Sequence, residues 1–179
     1  MQQIFINEQN VDGKIRVVGD DARHLIKVCR IKMGEKIRVS TSGDENYLCE
    51  AESIDDDTLV LNIIEEVPTT ELPCTIKLYQ ALPKGDRMET IIEKCTELGV
   101  SEVIPVEMKY CVVKLDDKKK AKKVERYQNI ARSAAQQSKR SVIPTISNVI
   151  SFKEAVADAA ESDIIVVPYE NKNGMKETV

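Results

Sequence analysis

A change of hydrophobic period near Pro73 constrains this chain more than any other feature of its sequence. Before it, short apolar or alternating runs recur: "QIFIN" (2–6), "KIRVVG" (14–19), "KIRVST" (36–41), "NYLCEAESI" (46–54) and "TLVLNIIEEV" (58–67). Turn signals separate them at Asp12-Gly13, Ser42-Gly43-Asp44 and Asp55-Asp56-Asp57. Period-two runs of this length read as strands, and strands at this spacing read as a small barrel. One helix interrupts them, with Asp20 or Asp21 as its N-cap and Leu25, Ile26 and Cys29 as its apolar stripe. The segment "VPTTELP" (67–73) reads as a linker between two domains.

After Pro73 strands alternate with helices, the order expected of an α/β domain with a parallel sheet. "TIKLYQAL" (75–82) is a strand, and residues 86–98 are a helix. Asp86 with Glu89 three positions on has the spacing of a capping box, and Gly99 stands where a left-handed residue closes a helix. Met88, Ile91, Ile92, Cys95 and Leu98 form its apolar stripe, which leaves Arg87, Thr90, Lys94 and Glu97 on the opposite face. "EVIPV" (102–106) is the next strand. Asp116 or Asp117 then starts a long helix to about Ser138, with Val124, Tyr127, Ile130, Ala131 and Ala134 facing inward. A further helix spans roughly 151–160, capped by Ser151 and Glu154. "DIIVVPYE" (163–170) is apolar almost throughout, as a central strand of a parallel sheet is.

The net charge of −4 hides a segregation. Residues 14–38 carry eight Lys/Arg against three Asp/Glu, and residues 109–140 carry eleven against three. Residues 39–72 carry ten Asp/Glu and no Lys or Arg. Two basic blocks in an acidic protein fit a footprint for a polyanion, although solvated helix faces give the same pattern. The five cysteines are never closer than 16 positions and there is a single histidine, His24, so the spacing of a zinc or CxxC site does not occur. No run reaches the roughly 18 apolar residues of a membrane span, and the N-terminus lacks the regions of a signal peptide. The expected setting is a reducing cytoplasm, with most cysteines packed as small hydrophobes.

Three stretches carry candidate binding residues. The turn after the first α/β strand holds Lys84, Gly85 and Arg87, where loops of open α/β sheets meet ligands and a helix N-terminus favours anions. "ARSAAQQSKRSVIP" (131–144) spaces Arg132, Gln136 and Lys139 or Arg140 about a turn apart, a mixed surface of donors and acceptors; cations there also complement the helix dipole. "DDARHLIKVCRIKMGEKIRV" sets Arg23, Lys27 and Arg30 around one helix and its following turn. No paired carboxylates and no Ser-His-Asp set occur, so any chemistry rests on a bound cofactor or on substrate positioning.

"ARHLIKVCRIKMGEKIRV", "ALPKGDRMETIIEKCTELGVSEVIPV", "CVVK" (111–114) and "RYQNIARSAAQQSKRSVIP" (126–144) follow one another in the order and spacing of a known family. Together they resemble the SPOUT-class 16S rRNA (uridine-N3) methyltransferases. The resemblance implies a PUA-like RNA-binding β-barrel over residues 1–70, followed by an α/β, knotted SPOUT domain from residue 74 to 179. It implies S-adenosyl-L-methionine as cofactor, one uridine near the 3′ end of 16S rRNA in the small ribosomal subunit as substrate, and a homodimer formed through the SPOUT domain. No metal and no membrane enter. Arg23, Lys27, Arg30, Lys84, Arg87, Lys94, Arg132, Gln137 and Arg140 are the expected RNA-binding residues. Pro168, Tyr169 and Glu170 are the expected cofactor-side contacts.

The uridine N3–H must be lost for N3 to attack, so the chemistry requires a base or a stabiliser of the anion. Two departures from the family pattern stand out. Where the family has Glu-Gln followed by Gly-Arg, this chain has Gln136-Gln137-Ser138-Lys139-Arg140, which puts an acidic role there in doubt. The Gly-rich "GPEGG" and "LGxRILRxETA" segments of the family, which form the knot and most of the donor pocket, do not occur. The sequence therefore reads as a family member cut off after the strand at 163–168, with an incomplete knot domain and weak donor binding. A non-catalytic RNA-binding module is the alternative that the charge pattern alone allows.

Overall fold

The computed structural model describes residues 1–7, 12–41, 45–111 and 116–168. The turn expected at Ser42-Gly43-Asp44, most of "CVVK", and Tyr169 and Glu170 lie outside the described residues.

Alternation builds the first sheet. In β2 (Lys14–Val18), Ile15 and Val17 are fully buried while Lys14, Arg16 and Val18 face out. With β1 (Gln2–Ile6), β3 (Lys36–Thr41), β4 (Asn46–Asp55) and β5 (Thr58–Glu66) it forms the order β1-β3-β4-β5-β2. The β1–β3 pair is parallel and the others antiparallel. The edge strands β1 and β2 bury Ile4, Ile6, Ile15 and Val17 in one core with Ile37, Val39, Leu59 and Leu61, so the sheet curls on itself. Two register shifts between β4 and β5 bend it further. No ladder joins β1 to β2 among the described residues, so the expected barrel is a curled sheet with open edges.

Helix α1 (Gly19–Arg23) starts differently from expectation. Val18 takes the cap position without a side-chain hydrogen bond, and Asp20 and Asp21 fall inside the first turn, where they meet the positive end of the dipole. The chain continues in a π-helical turn, His24–Val28, which buries Leu25 and leaves Val28 exposed.

The second sheet has β7 (Glu102–Glu107) at its centre. β6 (Lys77–Ala81) lies on one side, and β8 (Thr145–Ile146) and β9 (Ile150–Ser151) on the other, all parallel to β7. Strand alternation sorts its two faces. Val103 packs with Met88 and Ile92 of α2 (Arg87–Glu97) and with Tyr127 and Ala131 of α3 (Asp117–Ser138). Ile104 and Val106 face α4 (Phe152–Ala159) through Ala155.

Local helix signals hold where the side chain's partners lie within its own first turn. Asp116 accepts from the Lys119 backbone N–H at 2.8 Å, and Ser151 with Glu154 forms a complete capping box. The box expected at Asp86 does not form: Asp86 makes no side-chain cap, and Glu89 turns to Arg126 at 2.8 Å. Leu98 was expected in the buried stripe but is 78% exposed; Thr96 is buried in its place as the helix ends.

The strand expected at 163–170 is corrected as well. Residues 163–168 form no strand, and Ile164 to Val167 are exposed. β8 and β9, two residues each, take the far side of β7 instead. Of the five cysteines only Cys49 is fully buried, and burial pushes its thiol up to about 12; Cys74 is exposed.

Gly99 closes α2 with φ +99, and a Cβ built there would lie 2.7 Å from Leu72 Cδ1. Gly99→Ala is expected to lose about 1–2 kcal/mol from the left-handed backbone alone. Gly85, with φ +72 and nothing within 4 Å, is the comparison. Chemical denaturation should show a larger loss at Gly99 than at Gly85, with Leu72→Ala recovering part of the difference.

Candidate nucleic-acid interface

The segment expected to be a loose linker is tied down. Glu71, within it, accepts from the Ser141 and Val142 backbone N–H groups at 2.8 and 3.1 Å and ion-pairs with the Arg140 guanidinium. Arg140 also donates to the carbonyls of Thr96 at 3.3 Å and Val100 at 2.5 Å. Gln3 of β1 donates to the Arg140 carbonyl, Arg38 of β3 reaches Ser141 Oγ at 3.4 Å, and Thr70 bonds both Ser141 and Lys139. Lys139 makes this possible: its left-handed φ of 63° ends α3 and turns the next residues inward. Burial alone would raise the Glu71 carboxyl, but the hydrogen bonds and charge of Arg140, with the Val142 and Ser141 N–H groups, hold it below its ordinary value.

This geometry sorts the expected RNA-binding residues. Arg140 is corrected: it is 6% exposed, with its donors on Glu71 and two carbonyls, so it ties the linker to the end of α2. Arg132 sits half-buried with Nη2 on the Phe5 carbonyl at 2.8 Å and 3.6 Å from Asp21 Oδ1. Lys94 is exposed but held by Glu93 and Glu97, whose hydrogen bonds raise its ammonium above its ordinary value. Arg23 pairs with Asp20 and Asp57.

Lys27, Arg30, Lys84, Arg87 and Gln137 are exposed and have no side-chain partner among the described residues. Lys27 and Arg30 stand at the π turn of the curled sheet. Lys84 and Arg87 flank the turn between β6 and α2, where Gly85 takes a left-handed φ of 72°. Helix α3 connects the two places: Arg126 pairs with Glu89 in the first turn of α2, and Arg132 meets Asp21 of α1 about 9 Å further along the axis. Two groups of unpaired cations therefore belong to halves tied together by these hydrogen bonds and ion pairs. Sequence reading missed Glu71 and placed Arg140 on the surface; the paired Glu/Arg charges were visible, but not the inward turn at Lys139.

Among the described residues no group of His, Cys, Asp or Glu is arranged to hold a metal, and no helix is long and apolar enough to cross a membrane. Of the expected cofactor-side contacts, Pro168 is exposed and the other two lie outside the described residues. A cleft of about 200 Å³ lies at the seam between Phe5, Arg132 and Val142, below the roughly 300–1,000 Å³ of sites that enclose a whole small-molecule ligand. It is not a donor pocket.

A curled sheet tied by hydrogen bonds to a parallel α/β sheet, with cations on both, is matched by two domain families. Residues 19–64 match the RNA methyltransferase PUA domain and residues 70–179 the RNA methyltransferase domain. The Ribosomal RNA small subunit methyltransferase E of Bacillus subtilis (strain 168) is 35% identical over 178 residues, 97% of this chain and 70% of that protein. The chain belongs to the ribosomal RNA small subunit methyltransferase E family. The Mycobacterium bovis relative of the same name is 32% identical over 142 residues, 78% of this chain and 53% of that protein. A crystal structure of the Neisseria gonorrhoeae relative bound to S-adenosyl methionine superposes with a TM-score of 0.75 at 28% identity, covering 87% of this chain and 65% of that one. The chain thus spans from about half to seven-tenths of the length of these relatives.

Proposed function

We propose that this chain is the RNA-recognition half and the first part of the methyl-transfer half of an enzyme that uses S-adenosylmethionine to methylate N3 of one uridine in 16S rRNA of the small ribosomal subunit. The observation that carries the reading is the match across both halves to this family, together with unpaired cations on each half of the tied pair. The division into a PUA-like domain over 1–70 and a SPOUT domain from 74, knotted and dimeric, is part of the proposal, as is a cytoplasmic setting. Lys27, Arg30, Lys84 and Arg87 track the phosphates, with Gln137 offering neutral hydrogen bonds nearby.

When bound, the donor supplies an electrophilic methyl group, and the protein's part is to orient the uridine against it. The described residues do not enclose such a donor. Ile164, Ile165, Val166 and Val167 present apolar surface, and Pro168 with Tyr169 and Glu170 is the side on which we place the donor contacts. Calorimetry of S-adenosylmethionine against the 179-residue chain is expected to show binding weaker than about 100 μM. A low-micromolar constant would contradict this and place a complete donor pocket within these residues.

A further inference from the structure

The seam cleft has a use that phosphate tracking does not explain. Phe5, Ile6, Val142 and Ile143 give it apolar walls, and Asn7, Arg132, Ser40, Thr41 and Ser141 line it with polar groups. Arg132 is fixed there through Nη2 on the Phe5 carbonyl, while its Nε and Nη1 have no partner among the described residues. Asp21, 3.6 Å away, offsets its charge. Held by the Phe5 carbonyl, the guanidinium keeps directed donors that suit an acceptor on a base edge. About 200 Å³ has room for one planar ring system and not for a whole nucleotide chain.

Proteins read single-stranded RNA by taking unstacked bases onto aromatic or guanidinium surfaces and bonding their edges. Because arginine only donates, it pairs with acceptor atoms on a base edge, the keto oxygens among them. Resting on the RNA-binding reading above, we infer that the cleft takes one unstacked base of the bound RNA, with Arg132 and Asn7 on its edge. The clamp at Glu71 holds the Ser141–Val142 wall of this cleft in place through two backbone hydrogen bonds.

The test uses the 179-residue chain and a single-stranded RNA of about 12 mixed nucleotides, resynthesised with one abasic position at a time. The parent is expected to lose about tenfold in affinity at one position, the weight of a single base stack. Arg132→Lys, which keeps the charge, and Val142→Trp, which fills the cleft, should each lose about tenfold on intact RNA. Neither should lose more at that abasic position, and the salt dependence should be unchanged; equal melting temperatures establish that both fold.

Parent binding that falls steeply with salt but shows a flat abasic profile overturns the base site and leaves the RNA reading standing. An Arg132→Lys variant that binds like the parent, with Arg132→Gln lowering the salt slope, makes Arg132 a phosphate contact and also overturns it. Low-micromolar binding of free uridine or guanosine monophosphate, blocked by Val142→Trp, would make the cleft a free-nucleotide site instead. Failure of the parent to bind RNA even at low salt removes the reading on which the inference rests, and the inference with it.

Discussion

Arg140→Ala is expected to destabilise the chain by roughly 3–5 kcal/mol, the cost of removing one partner from a buried ion pair. The side chains of the pair are only 8% and 19% exposed, so solvent replaces little of what is lost. The substitution strips Glu71 of its counter-charge and removes the donors that hold the Thr96 and Val100 carbonyls at the end of α2. The loss from Glu71→Ala should be of similar size, because it leaves the more deeply buried guanidinium unpaired and frees the Ser141 and Val142 N–H groups. For a domain of this size, each kcal/mol moves the melting point by about 2–4 °C, so Arg140→Ala should melt on the order of 10 °C below the parent.

The pH dependence follows from the same pair. Glu71 is held below its ordinary 4.5 in the folded chain. Above that value both folded and unfolded states are ionised, and the full stabilisation is present. As the pH falls, the unfolded state takes up the proton first, and the contribution fades through the depressed folded value. Stability measured between pH 7 and 3 should therefore fall less steeply in Glu71→Gln than in the parent. A loss under 1 kcal/mol in Arg140→Ala would show that the linker is held against α2 without the clamp.

Reversing Lys27, Arg30, Lys84 and Arg87 together is expected to lower RNA affinity by two to three orders of magnitude at about 0.1 M salt. Each neutralised phosphate releases counterions, with a slope near 0.7 per contact on single strands, so four lost contacts should flatten the plot of log affinity against log salt by about 3. Lys94→Glu is the informative contrast. Its ammonium already lies between Glu93 and Glu97, so reversal there should change affinity by no more than about twofold. Equal losses from Lys94→Glu and from single reversals at Arg30 or Arg87 would mean that general charge, and not these positions, governs binding.

What could be read from sequence was what depends on near neighbours. The switch from period two to strand–helix alternation located both sheets, and the caps at Asp116 and Ser151 and the left-handed Gly99 were legible because each acts within one turn of its helix. Asp86 failed because Glu89, its reciprocal partner, had a cross-helix rival in Arg126. The run at 163–168 has strand composition but pairs with no strand among the described residues, and β8 and β9, two residues each, take the side of β7 away from β6, too short to show in any pattern.

The candidate interface divided the same way. The exposure of Lys27, Arg30, Lys84 and Arg87 follows from helix faces and turns. Arg140 was misplaced because its position depends on one left-handed residue, Lys139, and on a carboxylate 69 positions earlier. The seam cleft was invisible, since Phe5, Arg132 and Val142 meet only once the halves are docked.

The most direct test of the central claim is methyl transfer. A protein carrying this chain at the full length of its relatives would be incubated with small ribosomal subunits and S-adenosylmethionine labelled in the methyl group. The modified base would then be identified by mass spectrometry of the digested 16S rRNA. One methyl per subunit is expected, recovered as N3-methyluridine at a single position, with a sharp loss when Lys27, Arg30, Lys84 and Arg87 are reversed. Tight RNA binding with no methyl incorporated, or methyl recovered on another base or ring atom, would contradict it.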